Sequence, residues 1–189
     1  MLSKINKNEI FVETDCRQLI EIFNQLFLSS ENTELRMGAK EPFFQSSKGL
    51  EPAVIFFTED YFSSALHEIA HWCIAGKERR QKDDYGYWYQ PDGRNQSQQM
   101  AFERLEVKPQ AIEWMFSLAC NHQFHFSADN LSEDITHSAE FEESVKIQVK
   151  EYFNHYLPNR AELFIQALIE SYRKGLAIEL TEKLWGKHV

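Results

Sequence analysis

The sequence is poor in cysteine, with three among 189 residues, and none of Cys16, Cys73 and Cys120 stands in a CxxC pair. A disulfide framework is therefore not expected, and the sparse, odd set fits a reducing compartment. Positive charge is also short. Twenty Lys and Arg face 29 Asp and Glu, a formal net charge of −9 with a pI of about 5.3. That balance argues against a broad basic face for nucleic acid and against a polybasic membrane anchor, while a cationic substrate is compatible with it. No apolar run approaches the roughly 18 residues of a membrane span. The opening MLSKINKNEIFVETD is polar and lacks a signal-peptide core. There is no internal repeat, low-complexity tract or Gly/Ser linker to divide the chain. These absences point to one cytoplasmic domain over residues 1–189, with no nucleic-acid or membrane partner.

What is present is bulk for a core. Hydrophobic residues make up 43%, with 15 Phe, 7 Tyr and 4 Trp, a globular rather than a disordered composition. A chain of this length buries roughly 70% of its unfolded surface. The stretch TDCRQLIEIFNQLFLSS predicts a helix, with Leu19, Ile22, Phe23, Leu26 and Phe27 at helical spacing behind Thr14 or Asp15 as cap. AVIFFT reads as a buried strand, with further strands expected around residues 35–37, in YGYWYQPDGR and in FHFS. Residues 60–76 read as a helix closed by Gly76. Residues 96–121 carry a helical pattern that Pro109 either breaks or restarts as the first position of a second helix. Three more helices are expected over 138–156, 160–174 and 178–185. The sum is an α+β domain, a single compact one, rich in helix with a small sheet.

The chemistry concentrates in SSALHEIAHWCIAG. It holds His67-Glu68-Ile69-Ala70-His71, the HExxH pattern of a zincin-like helix. Histidines four apart on a helix stack on one face, so both rings can reach one ion at about 2.0–2.1 Å. Leu66, Ile69, Ala70, Ile74 and Ala75 make this an apolar helix, which has little reason to carry two imidazoles unless something satisfies them. The bland alternative is a pair of satisfied core histidines. A catalytic site usually adds a third protein ligand, and FERLEVKPQAIEW offers Glu103, Glu106 and Glu113. On one continuous helix all three lie near one face, so spacing cannot choose. If Pro109 restarts the helix, Glu113 falls on a polar stripe with Gln110, Ser117 and Asn121. Glu106 then sits between apolar Leu105 and Val107 before a fixed turn, and ranks first, Glu113 second and Glu103 third. Among the remaining histidines, His122 and His125 are structural or pocket candidates, and His137, His155 and His188 read as surface. Lys77, Arg79 and Arg80 read as a solvated helix end.

LHEIAHWCIAGKERR, YGYWYQPDGR and FERLEVKPQAIEW, followed by DNL, resemble in order and spacing the elongation factor P hydroxylase family, over roughly residues 15–175. The resemblance implies oxygen-dependent hydroxylation of the β-lysylated lysine of elongation factor P, the last step of its maturation. It implies a metal held by two histidines and one carboxylate, carried over as His67, His71 and, within EVKPQ, Glu106. An aliphatic lysine carbon has no acidic proton, so an oxidising metal and dioxygen are needed. The expected ion is Fe(II) or another redox metal rather than zinc. Tyr85, Tyr87, Trp88 and Tyr89 are candidate walls of a slot for the lysyl arm, with Asp83, Asp84 and Asp92 holding positive charge nearby; the alternative is an ordinary packed strand. Glu68 divides the readings. In a hydroxylase it orients a ligand or water or carries a proton. In a small HExxH-plus-Glu zinc hydrolase, the rival reading, it is the general base.

Overall fold

The structure is a computed structural model that describes residues 15–86, 94–127 and 137–178. It opens with α1 (Cys16–Phe27), capped as expected by the Asp15 carboxylate, which accepts from Arg17 N. Three strands follow: β1 (Thr33–Ala39), β2 (Phe43–Gln45) and β3 (Ala53–Thr58). Their order is β1-β3-β2, with β1 parallel to β3 and β2 antiparallel to it. The central strand, AVIFFT, is buried at four of its six positions, which accounts for its unbroken apolar run. It delivers the chain directly into α2 (Phe62–Ile74), the HExxH helix. Then come α3 (Gln96–Cys120), α4 (Ala139–Asn154) and α5 (Asn159–Arg173). The result is helix-rich with a small three-stranded sheet, one compact domain.

Helix α2 lies between β3 and α3, and α3 in turn packs on α2, α4 and α5. The core on the outer side of α2 is aromatic. Trp72 is fully buried against Phe23 and Phe27, with ring centroids 5.2 and 4.9 Å away, and Phe164 of α5 joins them. Such pairs contribute beyond the area they bury. This packing fixes the rotation of α2 and so aims its other face, bearing His67 and His71, at α3.

Several sequence expectations are corrected here. Pro109 neither ends nor starts a helix: α3 is continuous for 25 residues through it. An interior proline costs about 3 kcal/mol, and packing on three other helices outweighs that. The carbonyl that loses its donor belongs to Leu105, an exposed residue. Gly76 does not close α2. The helix stops at Ala75, whose backbone is extended, and Gly76 has no left-handed φ. FHFS is not a strand. Phe124 stacks on Trp114 at 4.9 Å, and the Gln110 side chain bonds both N and O of Ser127. Of YGYWYQPDGR only Tyr85 and Gly86 at one end and Arg94 at the other are described, and Tyr85 lies in a turn with left-handed φ at both Asp84 and Tyr85. The helix expected over 178–185 lies outside the described residues beyond Ile178.

The candidate metal centre

Two helices build the site, and periodicity explains how. On α2 the four-residue step puts His67 and His71 one turn apart, with ring centroids 4.7 Å from each other. On α3 the seven-residue step from Glu106 to Glu113 brings both carboxylates onto the face that meets α2. The His67 and His71 Nε2 atoms lie 3.1 Å apart. Glu106 Oε1 is 3.3 Å from His71 Nε2, and Glu106 Oε2 is 3.5 Å from His67 Nε2. The donor atoms of these three residues all fall within 4.8 Å of one another. Edges of this length are what neighbouring ligand atoms show around an ion held at about 2.0–2.2 Å.

Two further observations test whether a cation fits. Glu106 is 4% exposed, and its Oε2 is buried with no hydrogen-bond partner among the described residues, a costly state for a carboxylate oxygen unless a cation meets it. The two imidazoles also point the same nitrogen at each other across 3.1 Å, a spacing that suits two lone pairs converging on one positive centre. The electrostatics agree. Burial works to lower the His67 pKa, but its bond to Glu113 and the charges of Glu113, Glu106 and Glu68 prevail and raise it to about 10. Burial works to raise the Glu106 pKa, but His71 and His67 pull it below the usual range. The pocket is thus arranged to hold positive charge, and His67, His71 and Glu106 could hold a metal ion.

The three glutamates that spacing left unresolved have three different surroundings. Glu106 faces both histidines. Glu113 approaches the opposite edge of one of them, its Oε2 2.8 Å from His67 Nδ1. Glu103 is buried away from the histidines, where it accepts from Ser138 N and Oγ at the start of α4. Ser138 is itself the α4 cap, so Glu103 braces a helix junction. The sequence ranks Glu106 first on the premise of a turn at Pro109 and flanking apolar residues. The turn does not form, since the helix continues, and of the two neighbours Val107 packs against the core while Leu105 is exposed; what places Glu106 is the face that α3 presents to α2.

Glu68 is half-buried on the turn that carries His67, and its charge is felt at both His67 and Tyr85. Tyr85 is 7% exposed, its ring stacked on Phe44 at 4.3 Å and its hydroxyl buried without a hydrogen-bond partner. Tyr87, Trp88 and Tyr89 lie outside the described residues, as does Asp92. Asp83 and Asp84 do not gather positive charge for the site. They accept from Ser46 N and Oγ and from Phe44 N, closing the free edge of β2. Arg79 and Arg80 are not a solvated helix end either. Arg79 donates to Tyr85 O, while Arg80 pairs with Glu31 at 2.8 Å and lies over Trp72. His122 bonds Ser63 at 2.9 Å, and His137 pairs with Glu142 at 2.9 Å. His155 is exposed.

Sequence reasoning missed Arg160 entirely. Its Nη2 lies within bonding distance of the carbonyls of Trp72, Cys73 and Ala75, at 2.9, 3.1 and 2.7 Å, and caps the end of the HExxH helix from α5. No local signal marks an arginine 88 residues away as a helix cap.

Comparison with known proteins bears on what this centre serves. The sequence model of a family described as Elongation factor P hydroxylase matches residues 22–182. The chain belongs to the elongation factor P hydroxylase family. A protein of Haemophilus influenzae named Elongation factor P lysine hydroxylase is 44% identical over 162 residues, which is 85% of this chain and 91% of that relative. The span matched to the hydroxylase family holds His67, His71, Glu106 and Glu113 together. Neither match points to a hydrolase, so the peptidase alternative has no support. Among the described residues of this family member, no helix is long and apolar enough to cross a membrane.

Proposed function

We propose that the protein hydroxylates the β-lysylated lysine of translation elongation factor P, in the cytoplasm, as one metal-dependent domain over residues 1–189. In this reading its HExxH helix presents ligands in the zincin manner. His67, His71 and Glu106 hold one divalent ion, Fe(II), and dioxygen is the oxidant. The observation that carries the reading is a cluster of two half-buried histidines and one buried carboxylate in a chain of this family.

Acid–base groups alone cannot replace a hydrogen on an aliphatic carbon, and a redox-active ion with open positions supplies the oxidising power when bound, which zinc does not. The chain's own residues do the rest. His67 and His71 offer Nε2 lone pairs from a rigid helix, and Glu106 offers a carboxylate held in place by burial. Glu68, beside His67, orients the ligand turn or passes a proton. Tyr85, with Tyr87, Trp88 and Tyr89, walls the slot for the lysyl arm, where aromatic faces suit both its methylenes and its ammonium. The net charge of −9 favours approach of that cationic arm.

Elongation factor P carrying the lysyl extension is incubated with iron-loaded enzyme, with and without oxygen, and its intact mass is measured. The reading requires a gain of one oxygen atom that depends on both iron and oxygen. Peptide cleavage with no such gain would overturn it.

A further inference from the structure

We propose that Glu113 is a positioning residue of the metal centre: it holds the far edge of the His67 ring and fixes which nitrogen that ring offers, without itself being a ligand. The proposal rests on the reading that His67, His71 and Glu106 bind the ion.

His67 is gripped at both ring nitrogens. Its Nε2 faces His71 Nε2 at 3.1 Å and Glu106 Oε2 at 3.5 Å. Its Nδ1 lies 2.8 Å from Glu113 Oε2. A neutral imidazole has one N–H and one lone pair, and a carboxylate can only accept. The bond to Glu113 therefore places the hydrogen on Nδ1 and leaves the Nε2 lone pair for the ion. The opposite tautomer would put a hydrogen where the ion should sit. Glu113 is not among the residues whose donor atoms cluster within 4.8 Å, because the imidazole ring stands between it and them. It is 6% exposed, and a buried carboxylate needs a partner of this kind.

The pair of ligands is unequal. His71 has no hydrogen bond to its Nδ1 among the described residues, its polar side-chain contacts being made through Nε2. His67 is thus the ring fixed in both tautomer and rotation, and His71 the one that settles against it. The seven-residue step on α3 serves both functions: Glu106 reaches the metal side of His67 and Glu113 the back of the same ring. Position 113 on its own would read as another solvated helix carboxylate.

The test uses the full-length protein stripped of metal and reloaded with Co(II). Affinity is measured by competition with a chromophoric chelator, and the ligand set by the Co(II) ligand-field spectrum and X-ray absorption. Glu113→Ala should weaken Co(II) binding by about 10- to 100-fold. At saturating metal it should keep the parent's two histidines and one carboxylate. Glu113→Gln, whose amide oxygen still accepts from Nδ1–H, should recover most of the loss. That recovery separates orientation from simple packing and guards against a variant that folds poorly. Unchanged affinity in Glu113→Ala would overturn the proposal. So would disappearance of the carboxylate from the ligand set, since Glu113 would then be a ligand. Glu106→Ala run beside it separates the two carboxylates: a variant that keeps parental affinity refutes the ligand set on which the proposal stands, whatever Glu113 does. A parent protein that binds no Co(II) refutes both.

Discussion

Replacing Arg160 with Met keeps the alkyl stem and deletes the guanidinium that closes α2. Three carbonyls lose their donor: Trp72 O at 2.9 Å, Cys73 O at 3.1 Å and Ala75 O at 2.7 Å. All three converge on one Nη2, which has two hydrogens, so about two full charge-assisted bonds are at stake, each contributing roughly 1.5–3 kcal/mol. The guanidinium also lies 4.6 Å from the Trp72 ring, a contact contributing about 1 kcal/mol. Against these gains stand the desolvation of a half-buried cation and roughly 2 kcal/mol of side-chain entropy. The balance is a destabilisation of about 3 kcal/mol. For a chain of this length each kcal/mol moves the melting temperature by about 2–4 °C, so a fall of roughly 6–12 °C is expected. Urea unfolding followed by far-ultraviolet circular dichroism measures it, with the slope against urea unchanged. Arg160→Lys should recover part of the loss, since an ammonium can reach one carbonyl but cannot fork or stack. The last residue of α2, Ile74, lies three positions past His71, so the Met variant should also bind metal more weakly. A destabilisation below about 1 kcal/mol would refute the reasoning, because it would mean that water satisfies those carbonyls and that Arg160 caps nothing.

Three other outcomes follow from the same geometry. Glu103→Ala should cost about 1–3 kcal/mol by leaving Ser138 N and Oγ without their acceptor, yet leave Co(II) affinity at the parental value; a large fall in affinity would place Glu103 in the centre. His67→Ala and His71→Ala should each abolish the oxygen-dependent mass gain on elongation factor P while circular dichroism still shows a folded domain, because the aromatic and aliphatic core supplies most of the stability; collapse of the fold would mark the ion as structural. Glu68→Gln should lower hydroxylation by no more than about 10- to 100-fold, whereas a peptidase using Glu68 as base would lose nearly all cleavage; cleavage by the parent that vanishes in this variant, with no mass gain, would favour the hydrolase.

The sequence by itself determined what is local. Capping of α1 by Asp15, the buried run of AVIFFT and the placing of His67 and His71 one helical turn apart each depend on residues within a few positions of one another, where helix and strand periods act directly. The family, too, was legible in three blocks of sequence, because chemistry of this kind constrains residue type and spacing together. The roles of Glu103, Glu106 and Glu113 were not. All three fall toward one side of α3, and nothing in their spacing distinguishes a carboxylate that meets two histidines from one that backs a ring or one that braces α4. The partner element decides, and partners come from far along the chain. The same holds for Pro109, whose local preference to break a helix yields to packing on α2, α4 and α5. It holds for Asp83 and Asp84, which read as free acidic charge until β2 brings its open edge beneath them. Arg160 is the extreme case: its three carbonyls lie 85–88 residues away, and only the docking of α5 beside α2 turns a surface-type residue into the cap of the HExxH helix.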